Sequence, residues 1–449
     1  MKIQIPEKVN KIIRTLAAAG HEAYAVGGCV RDAVLGREPA DWDITTSAAP
    51  VEVKALFRKT IDTGIQHGTV TVMLENEGFE VTTYRVDGEY EDGRHPKEVQ
   101  FTKSLLEDLK RRDFTINAMA YNEKEGLVDA FDGVGDLRQG IIRCVGSAEE
   151  RFTEDALRMM RAVRFSAQLG FELEADTRAA IGKLCGNLVK VSAERIQAEL
   201  VKILVSPYPE KLRDAWENGL TGAVLPEFDL CMECEQNNPH HIYSVGEHTI
   251  HALKHVEADR ILRLSVLFHD FGKPEVKTTD EEGIDHFKRH PLVSEELARE
   301  ILKRLRFDNE TIRQVSKLVW CHDYHPSLTL AGVRRTLNQI GEDLFPMYLK
   351  IQRADILAQN PDLQEPKLKA LEKVSQLYEQ ILKEKDCITL KQLAVSGRDL
   401  MEKGFSSGPQ LGEILQYLLE LVLEDPGKNE KEWLLEEACR YQSDAELRE

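Results

Sequence analysis

The sequence predicts an α+β protein: a small mixed α/β head at the N-terminal end, followed by an all-α remainder of several helical segments. Three observations carry that prediction. The first is alternation of helix and strand signals up to about residue 145. Glu7 to Ala19 has apolar residues at helical spacing, while Ala23–Val26, Trp42–Thr45, Gly68–Leu74 and Phe79–Tyr84 are short β-rich runs separated by Gly, Asp and Asn. The second is that strand signals stop at about Ser147, where amphipathic spacing takes over and runs to the end. The third is histidine usage, since ten of the thirteen fall between His240 and His325 and set one helical segment apart. Turn formers mark the joints: Asn237-Asn238-Pro239 and Gln359-Asn360-Pro361 flank that segment, and Gly404 to Pro409 and Asp425-Pro426-Gly427 interrupt the tail. The expected division is a head at 1–145, a helical segment at 146–236, the histidine-rich module at 237–360 and a helical tail at 361–449.

Composition limits the classes of function. A chain of 449 residues, 42 % hydrophobic and 30 % charged, has room for two to four ordinary globular domains. No apolar run approaches the roughly 20 residues of a membrane span, and the opening MKIQIPEKVNKIIRTL lacks a signal-peptide core. The expectation is a cytoplasmic protein without membrane association. Eight scattered cysteines suit reduced thiols. Cys231-Met232-Glu233-Cys234 is a lone CxxC. It could form half a zinc site with His240 and His241, but a surface turn is the better reading. The net charge of −18 argues against wholesale coating of nucleic acid, while Arg111-Arg112 and the series Arg158, Arg161, Arg164 are local basic concentrations.

The chemistry begins at Gly27-Gly28-Cys29-Val30-Arg31-Asp32, with Asp41-Trp42-Asp43 close behind. A glycine pair lets backbone N–H groups approach a bulky anion. Two carboxylates at i and i+2 on a strand share a face and can bind one hard divalent cation. Together they suit nucleotidyl or phosphoryl transfer. Glu80 shares its alternating set with Thr82 and is a candidate third acid. The polar, Gly-punctuated stretch from Arg85 to Pro96 reads as a mobile loop. Arg111 and Arg112 are expected near the N-terminus of a helix through Met119, which is unfavourable for the helix dipole unless an anion sits there.

Asp155 and Arg158 are expected as i, i+3 neighbours on one helix, offering an acceptor and a fork of donors. Cytosine and adenine each present an exocyclic amine beside a ring-nitrogen acceptor, whereas uracil and guanine present a carbonyl where that amine would be. Such a pair can select C and A without a nucleic-acid template; otherwise it is a surface salt bridge. Steps of three drift by roughly 60° on a 3.6-residue helix. Arg164 should therefore face away from Asp155, which makes Arg161 the better phosphate contact. Further on, His248, His269-Asp270, His286, His290, Cys321-His322-Asp323 and Asp355 supply imidazoles and carboxylates from several helices. That donor set suits a transition metal that activates water.

The order GGCVRD, DWD, TGIQHGTV, RVDGEYEDGRHP, RRDFTINAM, EDALRMMRAVRF and Glu194-Arg195 resembles the class II tRNA nucleotidyltransferases, the CCA-adding enzymes. Ser396-Gly397-Arg398-Asp399-Leu400 and Gly412-Glu413-Ile414-Leu415 are similar to that family's C-terminal region. The resemblance implies a polymerase-β-like head and helical neck, body and tail segments that hold the acceptor arm and 3′ end of tRNA. It implies that Asp41 and Asp43 are catalytic and bind Mg²⁺. By the same resemblance Gly28, Arg31, Arg112, Arg161 and Arg164 contact the nucleotide, and Asp155 and Arg158 read the base of CTP or ATP. The Asp87 to Pro96 loop resembles that of enzymes adding the full CCA; relatives that add CC only, A only or poly(A) share the head motifs. The histidine order resembles the HD phosphohydrolases, which implies His248, His269, Asp270 and Asp355 as ligands of Ni²⁺, Co²⁺, Mn²⁺ or Zn²⁺, with His290 and His322 for a second metal. A chain whose main activity is that hydrolase, with the head as a nucleotide or RNA sensor, is the alternative; a non-catalytic RNA-binding protein is a third. The intact acids of the head oppose both.

Overall fold

The computed structural model describes residues 2–88 and 99–446. Two compact units divide between Asp229 and Leu230. The first is built on a seven-stranded mixed sheet. Its strands are β1 (Ala23–Val26), β2 (Ile44–Thr46), β3 (Thr60–Gly64), β4 (Thr69–Leu74), β5 (Glu77–Thr83), β8 (Met119–Asn122) and β9 (Gly126–Asp129), with a separate hairpin-like pair β6 (Arg85–Asp87) and β7 (Val99–Phe101). The order across the sheet is β3-β4-β5-β2-β1-β8-β9. Only β2 and β5 run parallel. The helix Glu7–Ala18 buries Val9, Ile12, Ile13 and Leu16 and packs on β1. Tyr24, Val26, Tyr84, Leu109, Ala118, Ala120 and Val145 form a hydrophobic cluster of this unit.

The strand expected over Trp42–Thr45 begins at Ile44. Asp43 still joins the ladder, because its carbonyl accepts the N–H of Val26 at 3.0 Å. Arg111 and Arg112 are not at a helix N-terminus. Ser104 caps the helix Leu105–Lys110 by accepting the N–H of Glu107, so the two arginines follow its C-terminal end, the pole that favours cations. The loop expected from Arg85 to Pro96 keeps its first residues in β6; from Glu89 it lies outside the described residues. Among the described residues beyond 147, strand structure is limited to Glu172–Leu173, which pairs back to Ile141–Ile142, and to Thr278–Thr279 with Asp285–His286. Cys231 and Cys234 are buried, and no potential metal-ligand cluster among the described residues includes them.

In the second unit, Val245–Leu253, Arg260–Phe268, His290–Arg304, Asn309–Cys321 and Phe345–Ala358 pack together around the histidines. Leu330–Ile340 packs against Gln364–Glu384 and Pro409–Glu424. That junction holds a buried ion pair: Arg334 Nε lies 2.6 Å from Asp386 Oδ2, with the side chains 5 % and 6 % exposed. Arg334 Nη1 also donates to the Leu423 carbonyl at 3.0 Å, at the end of Pro409–Glu424. Replacing Arg334 with Met leaves the Asp386 carboxylate buried without its partner. The expected loss is about 3 kcal/mol, read as a lower urea midpoint of the second unit. Arg334→Met combined with Asp386→Leu should recover much of it.

Candidate functional site

Gly27 closes β1 and starts the helix Gly28–Val34 at φ +82°, a conformation L side chains rarely adopt. A Cβ there would also come within 2.9 Å of Arg112 Nη1. Glycine therefore lets the guanidinium lie against the turn. Arg112 Nε is buried without a hydrogen-bond partner, and its nearest carboxylate is Asp108 at 3.6 Å. A bound anion would satisfy such a donor.

The parallel register Ile44↔Val81 sets Asp43 beside Glu80, which projects on the exposed side of β5 as the alternation with Thr82 predicts. The Asp43 carboxyl is pushed up to about 6. Desolvation by the protein packed beneath it is the largest cause, followed by the charges of Asp41 and Glu80, with Arg112 opposing them. Asp41 and Glu80 act on Asp43 through their charges, and the oxygen-only donors of these acids suit a hard ion such as Mg²⁺.

Three arginines gather around one ring. The guanidinium carbons of Arg31, Arg161 and Arg164 lie 5.2, 5.5 and 4.1 Å from the centroid of Phe165. Each has an acidic partner: Asp32 at 2.9 Å from Arg31, Asp113 at 2.8 Å from Arg161 Nε, and Glu199 at 3.1 Å from Arg164 Nε. Arg31 also donates to Asn117 Oδ1 at 2.8 Å. Burial lowers Arg164 to about 10.

Two expectations are corrected here. Asp155 and Arg158 are not i, i+3 neighbours on one helix. Asp155 lies between Ala148–Glu154 and Leu157–Leu169 in an extended conformation, with Oδ1 accepting the N–H of Leu157 at 3.1 Å. Its carboxylate pairs with Arg195 at 2.7 Å, while Arg158 turns to Glu154 at 2.5 Å. The rotation argument for Arg164 therefore started from a residue outside the helix, and Arg161 and Arg164 both flank Phe165. Asp113, which anchors Arg161, was overlooked; its place directly after two arginines was the available signal. Burial would raise the Asp113 carboxyl, but Arg161 and Arg158 outweigh it and hold it at about 2.

The second unit brings His248, His269, Asp270 and Asp355 together. His248 Nε2 is 2.8 Å from Asp355 Oδ1, and His269 Nε2 is 3.3 Å from both Asp270 Oδ2 and His248 Nε2. On the other side of Asp270, Oδ1 lies 3.3 Å from His290 Nε2 and 3.6 Å from His322 Nε2. One carboxylate thus faces two pairs of imidazoles. All four rings direct Nδ1 to a backbone carbonyl: Ala358 at 3.3 Å, Val266 at 2.7 Å, Phe287 at 2.8 Å and Val319 at 2.6 Å. That anchoring presents Nε2 inward, the orientation of a metal ligand. Asp270 and Asp355 are held well below the usual carboxylate range by the histidines despite burial, with Lys273 adding its charge at Asp270. Burial disfavours a charged His269, yet the two carboxylates outweigh it and push it up to about 10. The cluster demands positive charge at its centre, and its mixed nitrogen and oxygen donors fit a transition ion. Sequence reasoning passed over Lys273, whose Nζ lies 2.7 Å from Asp270 Oδ2, although it sits three residues after that aspartate.

Comparison with known proteins follows the same division. Residues 23–143 match a poly A polymerase head domain model, residues 170–232 a "Probable RNA and SrmB- binding site of polymerase A" and residues 278–438 a tRNA nucleotidyltransferase domain 2. The CCA-adding enzyme of Levilactobacillus brevis is 38 % identical over 428 residues, 95 % of each chain. That of Lactiplantibacillus plantarum is 52 % identical over 218 residues, where the match spans 49 % of this chain and 52 % of the relative. The Bacillus stearothermophilus CCA-adding enzyme in complex with CTP superposes with a TM-score of 0.74 at 32 % identity, covering 98 % and 100 % of the two chains. The Thermotoga maritima enzyme complexed with tRNA shares the fold, with a TM-score of 0.59 at 21 % identity.

The depressed carboxyl of Asp113 makes a stability prediction. Its folded pKa lies below the ordinary value, so its contribution is full above about 4 and is lost as pH falls toward about 2. On the order of 2 kcal/mol is at stake. Asp113→Asn should remove that part of the acid destabilisation, seen as a flatter dependence of urea midpoint on pH between 4 and 2.

Proposed function

Because the chain belongs to the CCA-adding enzyme family, we propose that it adds or repairs the 3′-terminal CCA of tRNA from CTP and ATP without a nucleic-acid template. The observation that carries this reading is the Asp43 carboxyl, acted on by the charges of Asp41, Glu80 and Arg112, beside the Gly27 turn and the unpartnered Nε of Arg112. In the reaction the tRNA 3′ oxygen attacks the α-phosphorus, its proton leaves, the bond to the β-phosphate oxygen breaks and pyrophosphate departs. Mg²⁺ held by Asp41 and Asp43 would neutralise charge on the attacking and leaving oxygens. The Gly28 backbone, Arg31 and Arg112 hold the triphosphate. Arg161, oriented by Asp113, supports it, and Arg164, paired with Glu199, packs over the ring of Phe165. Arg195 orients Asp155 as an acceptor for the exocyclic amine of C or A, and Arg158 supplies the donor fork.

In this reading residues 1–145 are the catalytic head, 146–236 read the base and bind RNA, and 361–449 support the tRNA acceptor arm. No helix among the described residues is long and apolar enough to cross a membrane, and a cytoplasmic site of action suits the substrates. Asp43→Ala should lower incorporation of labelled CTP into tRNA lacking its 3′ end by at least a thousandfold, while tRNA binding persists. Near-normal turnover at saturating Mg²⁺ would remove the acids from the mechanism.

The inward Nε2 atoms of four histidines favour a second activity. We infer that residues 237–360 hydrolyse phosphoesters at His248, His269, Asp270 and Asp355, with His290 and His322 on the far oxygen of Asp270. A Ni²⁺, Co²⁺, Mn²⁺ or Zn²⁺ ion bound there would acidify water for attack on phosphorus. Lys273 holds Asp270 in place. Changing His269 and Asp270 to Ala together should abolish phosphoesterase activity and remove a transition ion detected by elemental analysis, with Mg²⁺-dependent CCA addition intact. Equal metal content in both proteins would defeat this assignment.

A further inference from the structure

Asp108, on the helix Leu105–Lys110, is a carboxylate with no exposure to solvent. Arg111 and Arg112 follow it at the third and fourth positions, and its two oxygens divide their partners unequally. Oδ1 accepts Arg111 Nε at 2.9 Å, Arg111 Nη2 at 2.7 Å and the N–H of Arg85 at 3.4 Å. Oδ2 accepts the Thr45 hydroxyl at 3.1 Å and faces Arg112 Nη2 at 3.6 Å, too far for a hydrogen bond. Thr45 lies in β2, two residues after Asp43, so this carboxylate is tied to the strand that Asp43 leads into. Burial would raise the Asp108 carboxyl, but Arg111 and Arg112 outweigh it and hold it below its ordinary value. It therefore carries its charge at neutral pH.

We propose that Asp108 is a positioning residue for nucleotide addition: it holds Arg112 off Asp43, so that the guanidinium is left for the triphosphate and the acid for its cation. This acts through Arg112 and rests on the nucleotidyl-transfer reading of the head. A carboxylate that served the fold alone would be satisfied by Arg111 and Thr45. Here a second guanidinium is drawn to the same group without being bonded by it, and its Nε stays buried and unpartnered. Burial works against the charge of Arg112; of the acids that favour it, Asp108 acts most strongly, ahead of Asp113 and Asp43. Without Asp108 the guanidinium would turn to one of the other two. Pairing with Asp43 would remove a phosphate donor and a free carboxylate in one movement. The Thr45 hydroxyl sets how far Asp108, and with it Arg112, stands from β2. The loose 3.6 Å approach is thus the useful one, since a bonded Arg112 would have fewer donors to give.

The test uses the full chain with tRNA lacking its 3′ end, labelled CTP and Mg²⁺, and measures pyrophosphate binding separately by calorimetry. Asp108→Asn should raise the KM for CTP and the Kd for pyrophosphate about tenfold, with the KM for tRNA unchanged. Arg112→Gln should raise the same two constants by itself. Adding Asp108→Asn to it should change them less than about twofold, because the two residues act as a unit. Thr45→Val removes only the tie to β2 and should raise both constants about threefold. It keeps the buried charges paired, so it decides the matter if Asp108→Asn does not fold. Tighter pyrophosphate binding by Asp108→Asn would reveal an acid that merely subtracts charge, and overturns the assignment. Additive losses with Arg112→Gln, or unchanged constants in either folded variant, overturn it too. A wild type that adds no C to the tRNA overturns the nucleotidyl-transfer reading instead, and the pyrophosphate constants then still decide whether Asp108 positions Arg112.

Discussion

Three guanidinium groups converge on the ring of Phe165, and the first site is arranged around holding that positive charge without neutralising it completely. Unpartnered, the cations would repel one another and resist burial. Asp32, Asp113 and Glu199 each take one, and the aromatic face contributes a weak attraction to all three. Arg112 completes the set with a buried Nε that no protein atom satisfies. Across from it, the β2–β5 register concentrates negative charge at Asp41, Asp43 and Glu80. Opposite excesses held close together are poised for a ligand that carries both phosphate and a divalent cation.

The second unit meets the same constraint in a different form. Four imidazoles are packed with Nε2 atoms as near as 3.1 Å, a contact that two bare lone pairs would resist. Backbone carbonyls pin the opposite nitrogens, so the rings cannot turn away. The negative charge of Asp270 and Asp355 favours a proton on His269 and, against burial, pushes it up to about 10. A cation bound there would displace that proton, so its affinity should rise with pH.

Much of this was legible in the sequence because it depends on local spacing. The glycine pair Gly27-Gly28, the alternation that turns Glu80 outward and the His-Asp dipeptide are all features of a few consecutive residues. What was missed depends on where a helix starts or stops. Ser104 begins a helix that ends at Lys110, which moved Arg111 and Arg112 from the expected N-terminal pole to a C-terminal one. Asp155 interrupts what reads as one continuous amphipathic run, so its partner became Arg195, forty residues away. Periodicity cannot show such a break, since both flanking segments keep a helical period. The partner of Arg164, Glu199, lies on another helix, which spacing within one helix cannot show.

The donor sets of the two clusters also favour different ions. The carboxylate oxygens of Asp41, Asp43 and Glu80 suit a hard ion such as Mg²⁺ and offer softer ions no special advantage. Imidazole nitrogens at His248, His269, His290 and His322 reverse that preference, because nitrogen donors gain most from later transition ions. Selectivity here needs no difference in fold or exposure. It follows from whether a strand end presents acids or helices present histidines whose outer nitrogens are tied to the backbone. The two sets of donors therefore favour different ions, so an ion that suits one site competes poorly for the other.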